Sequence, residues 1–222
     1  MMRTLPCSLL AASFLAMAPS CTPDETDRVA IAYRHVKPAF GEHFGKPVFI
    51  RIIKEKRELE LHVKEKGEKS WKLLKTYPIA GMSGELGPKQ AEGDYQAPEG
   101  FYEVYPNALN PLSNHWLAFN VGYPNGYDRS LGRTGSYIMV HGGDSSVGCF
   151  AITDPAIEEV YTMVDQALKA GQVFIPVQIY PFEMTPRRMQ QEQDSPHIEF
   201  WRYLQPGWQF THDHAAPYQP TR

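Results

Sequence analysis

Residues 137–153 read Tyr137-Ile-Met-Val-His-Gly-Gly-Asp-Ser-Ser-Val-Gly-Cys-Phe-Ala-Ile-Thr153. The run Tyr137–Val140 has the composition of a strand, and it ends on His141. A glycine-rich loop follows, and Cys149 leads out of it through Phe150 toward a helix signal. Asp154 can cap that helix, Pro155 suits its first position, and Glu158 and Glu159 favour the positive end of its dipole. Ile157, Val160, Tyr161, Val164 and Leu168 then recur on one face, and Gly171 can stop the helix. A strand, a tight loop and an amphipathic helix in succession define one piece of a mixed α/β domain.

Outward from this stretch the chain is mostly strand-like. Val48–Ile53, Leu59–Val63 and Trp71–Tyr77 are β-branched and aromatic runs separated by charged turns. Phe101–Tyr105, Trp116–Phe119 and Val173–Tyr180 add more, with Pro176 placing the last at an edge or on a bulge. Residues 54–75 carry eight Lys or Arg against five Glu, which suits the solvated face and turns of hairpins. Residues 81–100 are turn-rich. The expected fold is therefore mixed α/β and β-dominated, with a helix after the cysteine and a short helical C-terminal extension.

Four segments are expected. Residues 1–20 have the layout of a secretory signal: Arg3, an apolar run Ser8–Met17 too short for the roughly 20 residues of a membrane span, then small residues. No later stretch is apolar enough to span a membrane, and export to the periplasm is the expectation. Cys21 lies where a lipoprotein would be acylated. Residues 21–46 read as an exposed lead-in with a weak helical stripe at Val29, Tyr33 and Val36. Residues 47–181 form the main domain. Residues 182–222 form an extension with a short helix from Ser195 to Leu204 and a loose tail after Gly207.

The composition narrows the function. The 222 residues hold 22 Lys plus Arg against 25 Asp plus Glu, a net charge of −3. That balance argues against nucleic acid, whose binders present a basic face. Of three cysteines, Cys7 leaves with the signal and Cys21 lies at the cleavage point, so Cys149 stands alone in the domain. In an oxidising compartment a lone thiol is either a small buried hydrophobe or a nucleophile. A thiol with its usual pKa of about 8.5 needs a base or cation beside it to attack at neutral pH. His141 at a strand end, with the loop bringing Cys149 back, supplies one. Gly148 lets amide groups approach a tetrahedral oxyanion. A strand histidine, a glycine-rich turn and a buried cysteine would also fit the pattern.

These residues resemble the YkuD-type L,D-transpeptidase catalytic domain, and within it the YafK/DpaA-like murein-processing branch. The resemblance rests on Gly84–Phe101, Asn120–Arg129, Met139–Gly142 with Val147–Ala151, and Ile179–Pro186, in that order and spacing. It implies a β-sandwich-like catalytic domain in which Cys149 is the acyl-accepting nucleophile and His141 its general base, with Ser146 and Gly148 shaping the loop. It also implies that a backbone carbonyl can serve as the third member of the triad. The chain departs from the wider family in its short His-to-Cys spacing, in Val147 where a second histidine is usual, and in Ala151 where an arginine is common.

The implied function is a periplasmic cysteine enzyme that acts on peptidoglycan stem peptides at meso-diaminopimelate through an acyl-thioester. Water as acceptor would release a murein-bound outer-membrane lipoprotein; an amine would make it an L,D-transpeptidase. A wall-binding module without catalysis is the alternative of another class. Lys89, Arg129, Arg133 and Tyr137 are candidates for holding the substrate, although surface charge accounts for the three cations equally well. Asp144 could orient His141 or close the turn. His115 reads as structural and His212 with His214 as solvated. His141 and Cys149 lack further ligands at metal spacing, so no metal or cofactor is assigned.

Overall fold

The computed structural model describes residues 27–220. The expected signal, Cys7 and Cys21 lie outside the described residues. Among the described residues, nine strands and five α-helices run in the order α1 (Arg28–Phe40), β1 (Val48–Ile53), β2 (Glu58–Val63), β3 (Lys72–Pro78), β4 (Gly100–Val104), β5 (Leu109–Asn110) and β6 (Ala118–Asn120). They continue with α2 (Gly126–Ser130), β7 (Met139–His141), β8 (Phe150–Ala151), α3 (Asp154–Lys169), β9 (Ile175–Tyr180), α4 (Pro186–Gln191) and α5 (Ile198–His214). One sheet has the order β3-β2-β1-β9-β4 and the other β5-β6-β7-β8. The mixed, strand-dominated α/β expectation holds.

The larger sheet is covered on both faces, and side-chain alternation along each strand sorts residues between two cores. Val48, Ile50 and Ile52 on β1, Leu59 and Leu61 on β2, and Val177 and Ile179 on β9 enter the main core with α1, α3 and the smaller sheet. From the opposite face, Ile53, Phe101 and Tyr180 join Phe182, Trp201, Leu204 and Trp208 beneath α5. All five apolar positions read for α3 are buried, and Gly171 follows its end with φ of +104°.

Five expectations are corrected. The lead-in is not wholly exposed: Asp27 caps α1 through its carboxylate, and Ala32, Val36 and Phe40 join the main core beside α3. Small Ala32 carried no signal of that burial. β9 lies inside its sheet; Pro176 is tolerated because it sits near the strand start, before the ladder with β1 begins at Ile50 opposite Val177. The basic stretch 54–75 is not all solvated, since Lys54 is buried. Asp154 does not cap α3; Thr153 occupies that place without a side-chain cap bond. Finally, α5 continues through Pro206 to His214, held by buried Trp208 and Thr211, and Tyr218 packs on Phe101.

Candidate active site

His141 ends β7, and its backbone pairs in parallel with Ala151 of β8. Only residues 142–149 join these two strands, far fewer than the dozen or more that a parallel connection ordinarily takes. The loop closes because other segments hold it. Gly142 N–H donates to His115 O at 3.0 Å, Gly143 N–H donates to the Asp154 carboxylate at 2.8 Å, and Thr153 N–H donates to Gly143 O at 2.8 Å. A side chain at position 142 would lie 2.3 Å from Asp154 Oδ1 and 2.7 Å from His115 O, so glycine is required there. Gly148 takes φ of +80°, the left-handed region.

His141 is buried, and its Nδ1 lies 2.6 Å from Gly142 O. A carbonyl can only accept, so Nδ1 carries the proton and Nε2 is left as the basic nitrogen. Nε2 faces Ser146 Oγ at 3.3 Å, which donates to it. Burial lowers the proton affinity of His141, the Gly142 carbonyl works the other way, and the neighbouring His115 adds to the lowering. At neutral pH the ring is therefore a neutral base. Cys149 is a free, half-buried thiol. Its Sγ accepts from Met139 N–H at 3.3 Å and donates to Tyr137 O at 3.5 Å.

His141, Ser146 and Cys149 line one open cleft of about 570 Å³, whose other walls include Asn110, Ser113, Asn114, His115 and Met139. Backbone strain collects around it. Tyr95, Trp116, Tyr137 and Thr153 are all non-glycine residues at positive φ, each costing on the order of 1 kcal/mol unless its surroundings hold it.

Of the candidates read from the sequence, the structure brings His141, Ser146 and Cys149 together in the cleft, with Gly148 beside the thiol. Gly148 N–H is occupied by Ser83 Oγ at 2.8 Å, so in this arrangement it is not an open donor for an oxyanion. Asp144 is exposed, and His141 takes the Gly142 carbonyl instead. Lys89 does not line the cleft. Its ammonium is held by Asp94 at 2.5 Å and Ala91 O at 2.8 Å. Arg133 pairs with Asp128 at 2.7 Å and lies over the Phe200 ring, while Arg129 donates to Pro124 O. The Tyr137 ring is exposed, and it is the backbone of Tyr137 that meets the thiol. Among the described residues no group of His, Cys, Asp and Glu could hold a metal ion.

Three features escaped sequence reading. His115 lines the cleft rather than serving only the interior. Ser83 ties the turn-rich segment to the cysteine loop, accepting from Gly148 N–H and donating to Tyr95 O at 2.6 Å. Behind that segment, Lys54 Nζ donates to Glu85 O, Gly87 O and Ala97 O at 2.9–3.0 Å and pairs with Glu99 at 2.9 Å. Glu99 also accepts from Gly87 N–H at 2.6 Å and from Trp201 Nε1 at 2.8 Å. Burial lowers the Lys54 pKa against the opposing pull of Glu99. Only Ser83, in a Gly-Met-Ser-Gly turn, carried a hint, as a residue apt to bond nearby backbone.

The chain has relatives among known proteins. The model of the YkuD L,D-transpeptidase catalytic domain matches residues 48–179, and the chain belongs to that family. YafK of Escherichia coli strain K12, which carries the name of an L,D-transpeptidase, is 45 % identical over 173 residues, 78 % of this chain and 70 % of that protein. Among solved structures, the helical cell shape determining protein Pgp2 of Campylobacter jejuni aligns with a TM-score of 0.46 and 21 % identity, over 70 % of this chain and 56 % of that one. Bd1075 of Bdellovibrio bacteriovorus aligns with a TM-score of 0.43 and 23 % identity, over 73 % of this chain and 59 % of that one.

Proposed function

We propose that this chain is an exported, periplasmic cysteine enzyme that cleaves peptidoglycan stem peptides at meso-diaminopimelate and releases a murein-linked lipoprotein. The observation that carries this reading is the state of His141: buried, with Nδ1 committed to Gly142 O and Nε2 turned to the loop bearing Cys149. Cys149 and His141 are the proposed catalytic residues, with Ser146 holding Nε2 and Gly148 shaping the backbone at the thiol. In the first step the thiol turns from Tyr137 O, displaces Ser146 from Nε2 and gives its proton to His141. The thiolate attacks the diaminopimelate carbonyl, and the departing amine takes the proton from His141 as the C–N bond breaks. Water, deprotonated by the same nitrogen, then attacks the thioester carbonyl; the C–S bond breaks, the acid is released, and His141 returns the proton to the Cys149 thiolate. Asn110 and Asn114 supply amide groups along the cleft, in place of the cations of Lys89, Arg129 and Arg133 that are engaged elsewhere.

The preference for water rests on the branch resemblance. An amine acceptor would use the same thioester and make the chain an L,D-transpeptidase. Incubating the purified protein with lipoprotein-linked muropeptides and weighing the products by mass spectrometry separates the outcomes. Release of a stem peptide and a free lipoprotein whose masses together exceed the substrate by one water supports the hydrolytic reading, and a new cross-link indicates transfer. Unchanged substrate leaves a wall-binding module. Cys149→Ala should keep the wild-type melting temperature and lose turnover.

A further inference from the structure

His115 is presented to the cleft by an unusually well-held turn. Its N–H donates to Ser113 Oγ at 3.0 Å, and its carbonyl accepts from Gly142 N–H at 3.0 Å. The next residue, Trp116, has φ of +68° and donates its indole N–H to Glu158 of α3 at 2.9 Å. Arg28 of α1 donates to Ser113 O at 2.5 Å and to Trp116 O at 2.8 Å, and stacks over the Trp116 ring. Two helices and one strained residue thus fix a turn whose histidine is exposed. The ring it offers lies against His141, with centroids 4.5 Å apart and planes inclined by 33°.

We propose that His115 is a second functional imidazole of this site, a positioning residue that acts through His141. Its ring sets the plane of His141. When protonated, it opposes entry of a second proton into the Cys149–His141 pair and so keeps the thiolate available at mildly acidic pH. The same neighbour contributes to the lowered proton affinity of His141. Two unit charges 4.5 Å apart in water-like surroundings correspond to about 0.7 pH unit. The other ionisable groups around the turn are Cys149 and Asp144 in the loop, Asp154 and Glu158 on α3, and Arg28 on α1. Asp154 and Glu158 are bound to Gly143 N–H and the Trp116 indole, respectively, and Arg28 to backbone carbonyls.

This inference rests on the cysteine–histidine chemistry proposed above, so its test is independent of any wall substrate. The rate of Cys149 alkylation by iodoacetamide is followed against pH at low ionic strength in wild type, His115→Phe, His115→Arg and His141→Gln. Phe keeps a flat ring without charge, and its acidic edge should move up by about half a pH unit or more. The alkaline plateau should stay unchanged. Arg keeps a cation and should leave the edge at or below the wild-type position. Coincident edges for wild type and His115→Phe, with His141→Gln displaced, would overturn the role of His115 alone. Coincidence of all four profiles would overturn the cysteine–histidine reading itself.

Discussion

Replacing Glu99 by alanine should be among the most damaging single changes in the chain. Both Glu99 and Lys54 have fully buried side chains. The carboxylate receives the Lys54 ammonium at 2.9 Å, Gly87 N–H at 2.6 Å and the Trp201 indole N–H at 2.8 Å. Removing it leaves a buried cation without its counter-charge and two donors without acceptors. Loss of one partner from a buried pair costs about 3–5 kcal/mol. At about 2–4 °C per kcal/mol for a chain of this length, Tm should fall by about 10 °C. Urea unfolding followed by tryptophan fluorescence and by far-ultraviolet circular dichroism measures the loss. Removing both charges, in Lys54→Met with Glu99→Gln, should recover about half of it, because the uncompensated charge is the larger part. A Glu99→Ala protein within about 1 kcal/mol of wild type would refute the assignment of this pair as the anchor of the 85–99 segment, since that is the worth of a single ordinary hydrogen bond.

Two further outcomes follow from the same segment. Ser83→Ala removes the acceptor of Gly148 N–H and should lower turnover by about tenfold or more through misplacement of the thiol, at a stability cost of about 1 kcal/mol. Ser83→Thr should restore most of both, and equal turnover of Ser83→Ala and wild type in the muropeptide assay would exclude the anchor. Asp94 is partly buried, which raises its pKa, but donors from Ala91, Lys89, Gln90 and Gln96 outweigh that and hold it at about 2. A carboxyl depressed below its unfolded value of about 3.9 stabilises the fold above that pH, and the contribution is lost as pH falls toward 2. Urea midpoints of wild type and Asp94→Asn should therefore differ at pH 5 and converge toward pH 2; a gap that stays constant would remove the charge from the explanation.

Much of the fold was open to reading because its signals are local. Val48–Ile53 and Val173–Tyr180 alternate residues that the two cores later divide between them, and α3 carries its buried face at helical spacing. That His141, Ser146 and Cys149 meet in one cleft was legible because the thiol follows the histidine by only eight residues. What stayed hidden depends on contacts distant in sequence. Lys54 meets Glu99 across 45 residues and Trp201 meets Glu99 across 102, so each looked like a surface charge or a packed aromatic. β5 and β8 are two residues long and exist only through their partners. The place of His115 is set by Arg28 and Glu158, neither near it in the chain.

The indole of Trp201 bears on how this domain can be exchanged between proteins. The matched family region ends at residue 179, and Trp201 lies beyond it, yet Trp201 supplies one of the three donors to Glu99. Phe182, Leu204 and Trp208 cover Ile53, Phe101 and Tyr180 on the outer face of the larger sheet. A chimaera that joins residues 48–179 to an unrelated C-terminal segment would bare that face and orphan one lobe of a buried carboxylate. The recombination point compatible with this architecture lies after Tyr218, which also packs on Phe101, and a foreign segment joined before Trp201 must deliver an N–H donor to Glu99 from the same side.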